Sequence, residues 1–349
     1  MVALKTVHEV AIPPEANPDF LVIKLVARIV LTILKQCWWF FSTCFVTILF
    51  IYWFYGGLLA LALFFFSAAG LIYRASDQLL YHPESPSNSR LYVANPSLVG
   101  LRYENVFLKS QDGTKLHAFF VKAPGETLGN EPTVMFLHGN AGNIGHRVPN
   151  ARGLCTELRC NVLLLEYRGY GLSGGTPSEN GLYRDAQAGL DYLLSREDID
   201  KSKLYIFGRS LGGAVAVEIA SRAQNSSSIC CVLLENTFTS IPAMALHLFP
   251  WKPIKYLPRW FHKNKFDSHS KIMRLHPPVV MIAGLKDQLV PPIMMNELFE
   301  RCGSQSKCLL KIPGGDHNNS WSQPHYYRRL ASAIQQVLSS SFQVQENII

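Results

Sequence analysis

A serine lies between two glycines in the middle of the chain, within the stretch FGRSLGG at residues 207–213. The run KLYIFG leading into it is typical of a buried strand, and SLGGAVAVEIASR after it is typical of a helix. A tight turn from strand to helix exposes a serine hydroxyl and places a helix N-terminus, which favours developing negative charge, behind it. We therefore predict that Ser210 is a nucleophile, and that Gly208 and Gly212 are required because side chains there would collide. The alternative is a serine in a purely structural turn.

A serine hydroxyl is too weakly acidic to attack alone, so it needs a general base, and the base needs an orienting acid. Around a strand–serine–helix turn these partners follow in the order acid, then histidine, each after a later strand. Asp287 follows the strand-like run VVMIAG, and His317 follows CLLKIPG. We predict that His317 accepts the Ser210 proton and that Asp287 orients the imidazole. Glu235, at the end of the run CCVLLE, is an alternative acid.

The oxyanion of a tetrahedral intermediate needs backbone N–H donors. One donor is predicted at Leu211, directly after the serine, and the other at Asn140, in the loop HGNAGNIGHR that follows the strand-like run PTVMFLH. We expect His138 to hold this loop by a hydrogen bond and Arg168 to support the nucleophile region. The loop lacks the Gly-Lys-Ser/Thr of a nucleotide-binding loop, and no motif indicates a metal or an organic cofactor, so none is expected.

Strand-like and helix-like segments alternate in the part of the chain that carries these residues. Two alternating strands meet near Asp112-Gly113, and six short apolar runs suit strands buried on both faces of a parallel sheet. This order predicts a doubly wound α/β sheet. The connection from Asn236 to His276 is too long for a simple loop and is interpreted as a cap over the strand ends. Helix-like segments are expected at 145–158, 179–195, 211–224, 291–301 and 322–339.

An apolar segment without a charged side chain runs from Gln36 to Tyr73. It greatly exceeds the roughly 20 residues needed to cross a bilayer, so it predicts a membrane anchor. It is too long, and begins too far from Met1, for a cleavable signal peptide. One tilted helix is favoured over a hairpin that turns at Gly56-Gly57.

Positive charges flank this apolar segment unevenly. Lys24, Arg28 and Lys35 precede it, whereas Arg74 and Arg90 follow it. The positive-inside rule then favours a single-pass, type II protein with a cytosolic N-terminus and a lumenal or extracellular body. A hairpin would instead leave the body in the cytosol.

The cysteines and glycosylation sequons do not identify the compartment. None of the eight cysteines has the spacing of a CxxC motif or a metal site, although Cys302 and Cys308 could form a disulfide in an oxidising compartment. Sequons at Asn225 and Asn318 matter only if the body is lumenal. If it is, the protein is expected to be a glycoprotein, although a glycan on Asn318 would crowd the neighbouring His317.

Several long motifs together resemble those of the α/β-hydrolase superfamily, over a region from about Tyr55 to the C-terminal residues. They are FLHGNAGNIGHRVPNA, EYRGYGLSGG, FGRSLGGAVA, ENTFTSIP, YLPRWFHKNKF, GLKDQLVPPIMM and GGDHNNSW. The resemblance implies an α/β-hydrolase fold, with a mostly parallel eight-stranded sheet, helices on both faces and a cap insertion, preceded by an N-terminal transmembrane helix. It also implies a serine hydrolase that uses Ser210, Asp287 and His317. Glu166 stands where many of these enzymes carry Asp, which we expect to be harmless.

The domain boundaries that follow from these observations divide the 349 residues into five parts. We predict an N-terminal cytosolic segment, an anchor region, a connector, a hydrolase domain that contains the cap insertion 236–276, and a C-terminal tail. These parts cover residues 1–36, 37–73, 74–100, 101–340 and 341–349, respectively.

The cap is strongly basic, with seven Lys or Arg residues and only Asp267 as an acid, in a chain of net charge +8. Aromatic residues are interleaved with these charges. One interpretation is a solvated cap; the other is a surface that faces the bilayer or an anionic head group. A nucleic-acid partner is not expected, because no recognised binding module accompanies the charge.

Three functions compete at this point. The favoured one is an acyl-enzyme hydrolase that cleaves an ester or thioester in a small molecule, a lipid or an acyl-protein. A serine peptidase of the same fold would usually carry a large domain that restricts the entrance, which is not evident in the sequence. A non-catalytic, membrane-anchored scaffold is the third. The oligomeric state is left open.

Overall fold

The computed structural model describes residues 37–125, 129–248 and 261–346, together with Ala27, Leu31, Thr32 and Lys35. Backbone contacts divide the chain into two compact units, Met1–Ala75 and Ser76–Ile349. Several residues used in the predictions above lie outside the described residues. They are Lys24 and Arg28 before the anchor and, among the basic and aromatic residues noted in the cap, Phe249, Trp251, Lys252, Lys255, Tyr256, Arg259 and Trp260.

The uncharged N-terminal segment forms two helices, α1 (Trp38–Tyr55) and α2 (Gly57–Leu80), where the sequence predicted one. They are separated by Gly56, whose φ of +85° suits glycine and few other residues. No residue of α1 is buried. The stretches Trp38–Tyr55 and Gly57–Arg74 are each long and apolar enough to cross a membrane. The break lies at the position considered for a hairpin, and the number of crossings stays a prediction.

Eight strands form one sheet in the second unit, in the order β1-β2-β4-β3-β5-β6-β7-β8. Strand β2 pairs antiparallel with both β1 and β4, and all other neighbours are parallel. The predicted eight-stranded, mostly parallel sheet is therefore confirmed. The strands are β1 (Tyr103–Lys109), β2 (Lys115–Val121), β3 (Thr133–Leu137), β4 (Asn161–Leu165), β5 (Leu204–Arg209), β6 (Cys231–Glu235), β7 (Val279–Gly284) and β8 (Lys307–Ile312).

Burial follows the hydrophobic pattern of each strand. Every residue of β3, β4, β5, β6 and β7 is buried, as expected for continuous apolar runs covered on both faces. Strand β1 lies at the edge of the sheet, and no residue in it is fully buried. Strands β5 and β7, which precede Ser210 and Asp287, are thus fully buried, whereas β8, which precedes His317, lies at the other edge and is only partly buried.

Helices cover both faces of the sheet, as predicted. Leu163 of β4 packs in one apolar cluster with residues of α4 and α5, whereas Leu164 packs in a second cluster with residues of α3 and α9. Successive strand residues point to opposite faces, which explains the split. Within the described residues, the α-helices after the anchor are α3 (Val148–Leu158), α4 (Glu179–Ser195), α5 (Leu211–Ala220), α6 (Ile241–Leu248), α7 (Ser268–Lys271), α8 (Pro292–Arg301) and α9 (Tyr326–Glu346).

The cysteines are unpaired, and the two sequon asparagines differ in exposure. All eight cysteines are free, including Cys302 and Cys308. Asn225 is only 4% exposed, and its amide nitrogen donates hydrogen bonds to Gln187 Oε1 and Ile219 O, both at 2.9 Å. A glycan on Asn225 is therefore incompatible with this packing. Asn318 is exposed.

Candidate active site

Ser210 lies in the turn between β5 and α5, with φ +53° and ψ −120°. A Cβ added to Gly208 would lie 2.3 Å from Gly212 O, and one added to Gly212 would lie 2.0 Å from Leu137 O. These distances give the predicted collision of side chains at both glycines. The turn is fixed on both sides, because Ser210 N donates to Glu235 O at 2.9 Å and Thr237 Oγ1 donates to Ser210 O at 2.7 Å.

A chain of hydrogen bonds links the three residues predicted to carry the chemistry. His317 Nε2 lies 3.0 Å from Ser210 Oγ, and His317 Nδ1 lies 2.7 Å from Asp287 Oδ2. Asp287 is oriented by its own loop, since its Oδ1 accepts from Leu289 N at 2.9 Å and Val290 N at 2.8 Å. Ser210 is 8% exposed and Asp287 5% exposed, so both residues lie at the edge of the core.

Asp316, which directly precedes His317 in the sequence, binds backbone N–H groups of its own loop. Asp316 Oδ1 accepts from Asn318 N at 2.7 Å and from Asn319 N at 2.8 Å. The backbone oxygen of Asp316 accepts from Asn236 Nδ2 at 3.0 Å. Asp316 therefore shapes the histidine loop, and Asn236 connects that loop to the end of β6.

Glu235, the alternative acid, is not bonded to the imidazole. Its side chain is completely buried, and Oε2 lies 3.8 Å from Arg209 Nε. Burial raises the pKa of this carboxyl above its usual value, with the charge of Arg209 acting in the opposite direction. Of the two acids considered, Asp287 is the one that contacts His317.

The two predicted oxyanion donors lie near Ser210 and make no hydrogen bond to another described protein atom. Leu211 directly follows Ser210, and a Cβ added to Gly139 would lie 3.5 Å from Ser210 Cβ, so the backbone before Asn140 passes beside the serine. Among the described residues, neither Asn140 N nor Leu211 N donates a hydrogen bond to another protein atom. Both N–H groups are therefore available to a ligand.

Distant segments hold the loop that carries Asn140. Asn140 O accepts from His82 N and from the Tyr170 hydroxyl, both at 2.9 Å. The Asn140 side chain donates from Nδ2 to Leu80 O at 3.1 Å. The end of α2 and the residues just after it thus fix a loop that lies next to Ser210.

His138 holds the same loop from beneath, as predicted. It is fully buried, with Nδ1 2.7 Å from Gly139 O and Nε2 3.1 Å from Glu166 Oε1, although the second contact is poorly aligned for a hydrogen bond. Glu166 Oε2 accepts from Ile144 N at 3.0 Å. Glu166 therefore has a structural role in this loop.

Arg168 supports a different region from the one predicted. Its guanidinium binds Asp185 and Asp112, each with a shortest distance of 2.7 Å, and so connects the β4 loop to α4 and to the β1–β2 turn. Neither partner belongs to the nucleophile turn. The end of β5 supplies the arginine that does contact the site, Arg209, which the sequence analysis did not identify. A charged residue at the end of an otherwise apolar strand, beside the serine, is a signal that could have identified it.

Comparison with known proteins places these features in context. A family profile described as "alpha/beta hydrolase fold" matches residues 132–264. The protein WAV2 of Arabidopsis thaliana, an alpha/beta hydrolase domain-containing protein, is 38% identical and covers 73% of this chain and 85% of its own length. The protein bem46 of Schizosaccharomyces pombe is 36% identical, covering 80% of this chain and 92% of its own. A Saccharomyces cerevisiae relative described as an uncharacterized membrane protein is also 36% identical, with 78% and 93% covered.

Solved structures share the same fold at lower sequence identity. The esterase Pf2001 of Pyrococcus furiosus superposes with a TM-score of 0.58 at 20% identity, covering 74% of this chain and 98% of the esterase. An alpha-beta hydrolase from Vibrio vulnificus gives a TM-score of 0.57 at 20% identity, covering 70% and 89%. At this identity the match shows a common fold.

Proposed function

Because this chain belongs to the α/β-hydrolase superfamily, we propose that it is a membrane-anchored serine hydrolase that cleaves an ester or thioester through an acyl-enzyme. The observation that carries this proposal is the hydrogen-bond chain from Ser210 through His317 to Asp287, with distances of 3.0 and 2.7 Å. A structural neighbour named as an esterase is consistent with it. The proposed substrate is a lipid or an acylated protein, since the anchor would confine the enzyme to a bilayer.

In the first half of the reaction, Ser210 Oγ attacks the carbonyl carbon of the substrate while His317 Nε2 takes the hydroxyl proton. Asp287 accepts the Nδ1–H of the imidazole and stabilises its cation. The carbonyl oxygen becomes an oxyanion that the N–H groups of Asn140 and Leu211 would bind. His317 then gives its proton to the departing alcohol or thiol, which leaves Ser210 acylated.

In the second half, water enters where the leaving group departed. His317 removes a proton from this water, and the resulting hydroxide attacks the acyl carbon. The second oxyanion uses the same two N–H groups, and its collapse releases the acid while Ser210 recovers its proton from the imidazole. Every proton is returned to its starting group, so the two half-reactions balance with these residues and one water molecule.

The decisive experiment is labelling of the full-length chain by a fluorophosphonate probe. Wild type should be labelled at Ser210 and should hydrolyse a short soluble ester, whereas Ser210→Ala should lose both. Ser221→Ala is a matched control, because Ser221 Oγ only caps the far end of α5 by donating to Glu218 O at 2.9 Å. A correctly folded wild type that is not labelled would favour the scaffold function instead.

The basic cap supports the proposal of a lipid substrate. Lys263 forms an ion pair with Asp77, and Lys252, Lys255 and Arg259 lie outside the described residues. Neutralising Lys252, Lys255 and Arg259 should reduce hydrolysis of lipid in anionic vesicles and spare hydrolysis of a soluble short ester. Lys263 is left unchanged because it pairs with Asp77. Equal losses on both substrates would contradict docking of the cap to a membrane.

Membrane attachment and its direction are part of the proposal. The apolar stretches Trp38–Tyr55 and Gly57–Arg74 supply the anchor, with the single-pass, type II arrangement favoured by the flanking charges. In sealed microsomes, a lumenal body should resist added protease until detergent is supplied. Digestion without detergent would place the body in the cytosol, as a hairpin requires.

A further inference from the structure

We propose that Arg209 is a positioning residue that holds the backbone of His317 so that the imidazole lines up with Ser210, and that Glu235 holds Arg209 in place. This inference rests on the proposed hydrolase function and concerns how the same site is kept aligned. Arg209 is the last residue of β5, immediately before the serine. It thus connects the strand that carries the nucleophile to the loop that carries the base.

The contacts of the Arg209 guanidinium carry the inference. Nη2 donates to His317 O at 2.5 Å and to Asn318 Oδ1 at 3.2 Å. Arg209 is only 5% exposed, so these bonds are largely shielded from water. A charged donor that binds two oxygens in a fixed plane restricts both the distance and the rotation of the loop.

Glu235 lies directly beside Arg209 across the sheet. The two residues are register partners in the parallel β5–β6 pair, and Arg209 Nε lies 3.8 Å from Glu235 Oε2. The main chain of Glu235 also accepts from Ser210 N at 2.9 Å. A buried guanidinium is costly without a negative partner, so Glu235 favours the position in which Arg209 reaches His317.

Alignment of this kind affects rate more than binding. The reacting atoms must stay within hydrogen-bonding distance, and a displacement of about 1 Å can cost about 10²-fold in rate. Lysine would keep the charge of Arg209, but its single nitrogen lies on a flexible stem. In Arg209, Nε faces Glu235 while Nη2 reaches His317 and Asn318, and one ammonium group cannot occupy both positions. The positioning role therefore requires the guanidinium and not only its charge.

The test compares four variants of the full-length chain, with a soluble ester as substrate: R209M, R209K, E235Q and the double variant R209M/E235Q. R209M removes the donor but leaves Glu235 without its partner, which can impair folding. The double variant also removes the unpaired acid. It therefore separates the loss of the bonds to the His317 loop from the cost of burying an unpaired carboxylate. E235Q keeps the guanidinium and its bonds to the His317 loop but removes the charge that holds Arg209 in place, so a loss smaller than that of R209M is expected.

We expect the double variant to fold, to lose about 10²-fold in kcat and to keep KM within about threefold. Added guanidinium ion should restore part of kcat in the double variant but not in R209K. E235Q should stay within about fivefold of wild type. Hydrogen exchange of the peptide 313–323 should be faster in both R209M variants than in E235Q.

The result that overturns the inference is a folded double variant with wild-type kcat, or one whose loop exchanges at the wild-type rate. A loss that appears only in KM would also overturn it. If the wild-type chain is not labelled by fluorophosphonate, the proposed function fails, and the exchange measurement alone then decides whether Arg209 holds the His317 loop.

Discussion

The two sides of Ser210 are built in different ways. On the side proposed for acid–base chemistry, called the acid–base side below, Asp287 accepts hydrogen bonds from N–H groups of its own loop, and the His317 backbone accepts one from Arg209 at the end of β5. On the oxyanion side, Asn140 is held by Leu80 and His82, which precede the first strand. The first side is supported by strand ends and the loops that follow them, whereas the second depends on the segment that joins the anchor to the sheet.

That joining segment is itself attached to the cap. The Tyr81 hydroxyl donates to Asn264 Oδ1 at 2.9 Å, and Asn264 Nδ2 donates to Asp77 Oδ1 at 2.7 Å. Tyr81 is 5% exposed and contacts the Phe266 ring edge to face. Residues of the predicted connector therefore contact both the loop that carries Asn140 and the described part of the cap. The position of Asn140 thus depends on contacts that lie far from it in the sequence.

The largest effect should come from the acid–base side, where Asp287→Asn replaces the orienting carboxylate. The amide would favour the wrong imidazole tautomer, and kcat should fall by about 10⁴-fold without loss of the fold. Steady-state kinetics on a soluble ester, together with circular dichroism, measure both.

The control for this prediction is Glu235→Gln, the other acid that the sequence left open. It does not contact His317, so its kcat should remain within about fivefold of wild type. If E235Q were inactive and D287N active, Glu235 and not Asp287 would have to be assigned as the acid that orients His317.

The acid–base side was predictable because each residue follows its own apolar strand. Ser210, Asp287 and His317 come after the runs that form β5, β7 and β8, and the carboxyl ends of parallel strands meet at one edge of the sheet. The order of strands and helices was predictable for the same reason. Local hydrophobic pattern was sufficient for both.

The remaining features depend on contacts that no local pattern contains. Asn140 and Leu80 are 60 positions apart, and Arg209 and His317 are 108 apart. The local sequence around these four residues does not indicate that they form these pairs. Likewise, no charge interrupts the N-terminal apolar run at Gly56, so the sequence did not favour two helices over one.

The next largest effect should come from the oxyanion side, with Asn140→Asp. The carboxylate would place an oxygen opposite Leu80 O, where Nδ2 now donates at 3.1 Å, and this repulsion should displace the loop. An unmade hydrogen bond of about 1–3 kcal/mol corresponds to a loss of about 5- to 150-fold in kcat/KM. Labelling rate and steady-state kinetics measure it.

Asn140→Ala is the matched variant for this position. It keeps the backbone N–H that is the predicted oxyanion donor and removes the side-chain bond without adding repulsion. We expect a smaller loss, about 3- to 10-fold. Equal activity of wild type, N140A and N140D would mean that the joining segment does not align this side.

The pH dependence of the free energy of unfolding should distinguish two buried acids, Glu235 on the acid–base side and Glu166 on the oxyanion side. Burial raises the pKa of Glu235 in the folded state, so above about pH 4.5 the unfolded chain releases this proton first. Folded protein then binds more protons, and the free energy of unfolding should fall as pH rises, with a slope of at most about 1.4 kcal/mol per pH unit. The free energy of unfolding stops falling once the pH exceeds the folded-state pKa of Glu235.

Glu235→Gln should flatten this dependence in urea unfolding measured across the pH range. Glu166→Gln is the comparison on the oxyanion side, where one carboxylate oxygen accepts from Ile144 N at 3.0 Å. A slope that is unchanged by E235Q would show that Glu235 is ionised in the folded protein throughout the range.

The smallest effect is expected for Tyr170→Phe, which removes one of two donors to Asn140 O. His82 N still donates to that oxygen at 2.9 Å, so the loss should be about 1 kcal/mol or less and kcat should fall no more than about fivefold. Tyr167→Phe is the matched control, because its ring also contacts His138, at 4.4 Å against 5.2 Å for Tyr170, while its hydroxyl has no partner among the described residues. We expect Y167F to retain wild-type kcat and to unfold at the same or a slightly higher temperature. A larger loss in Y167F than in Y170F would mean that ring packing on His138, rather than the hydroxyl bond, holds the oxyanion side.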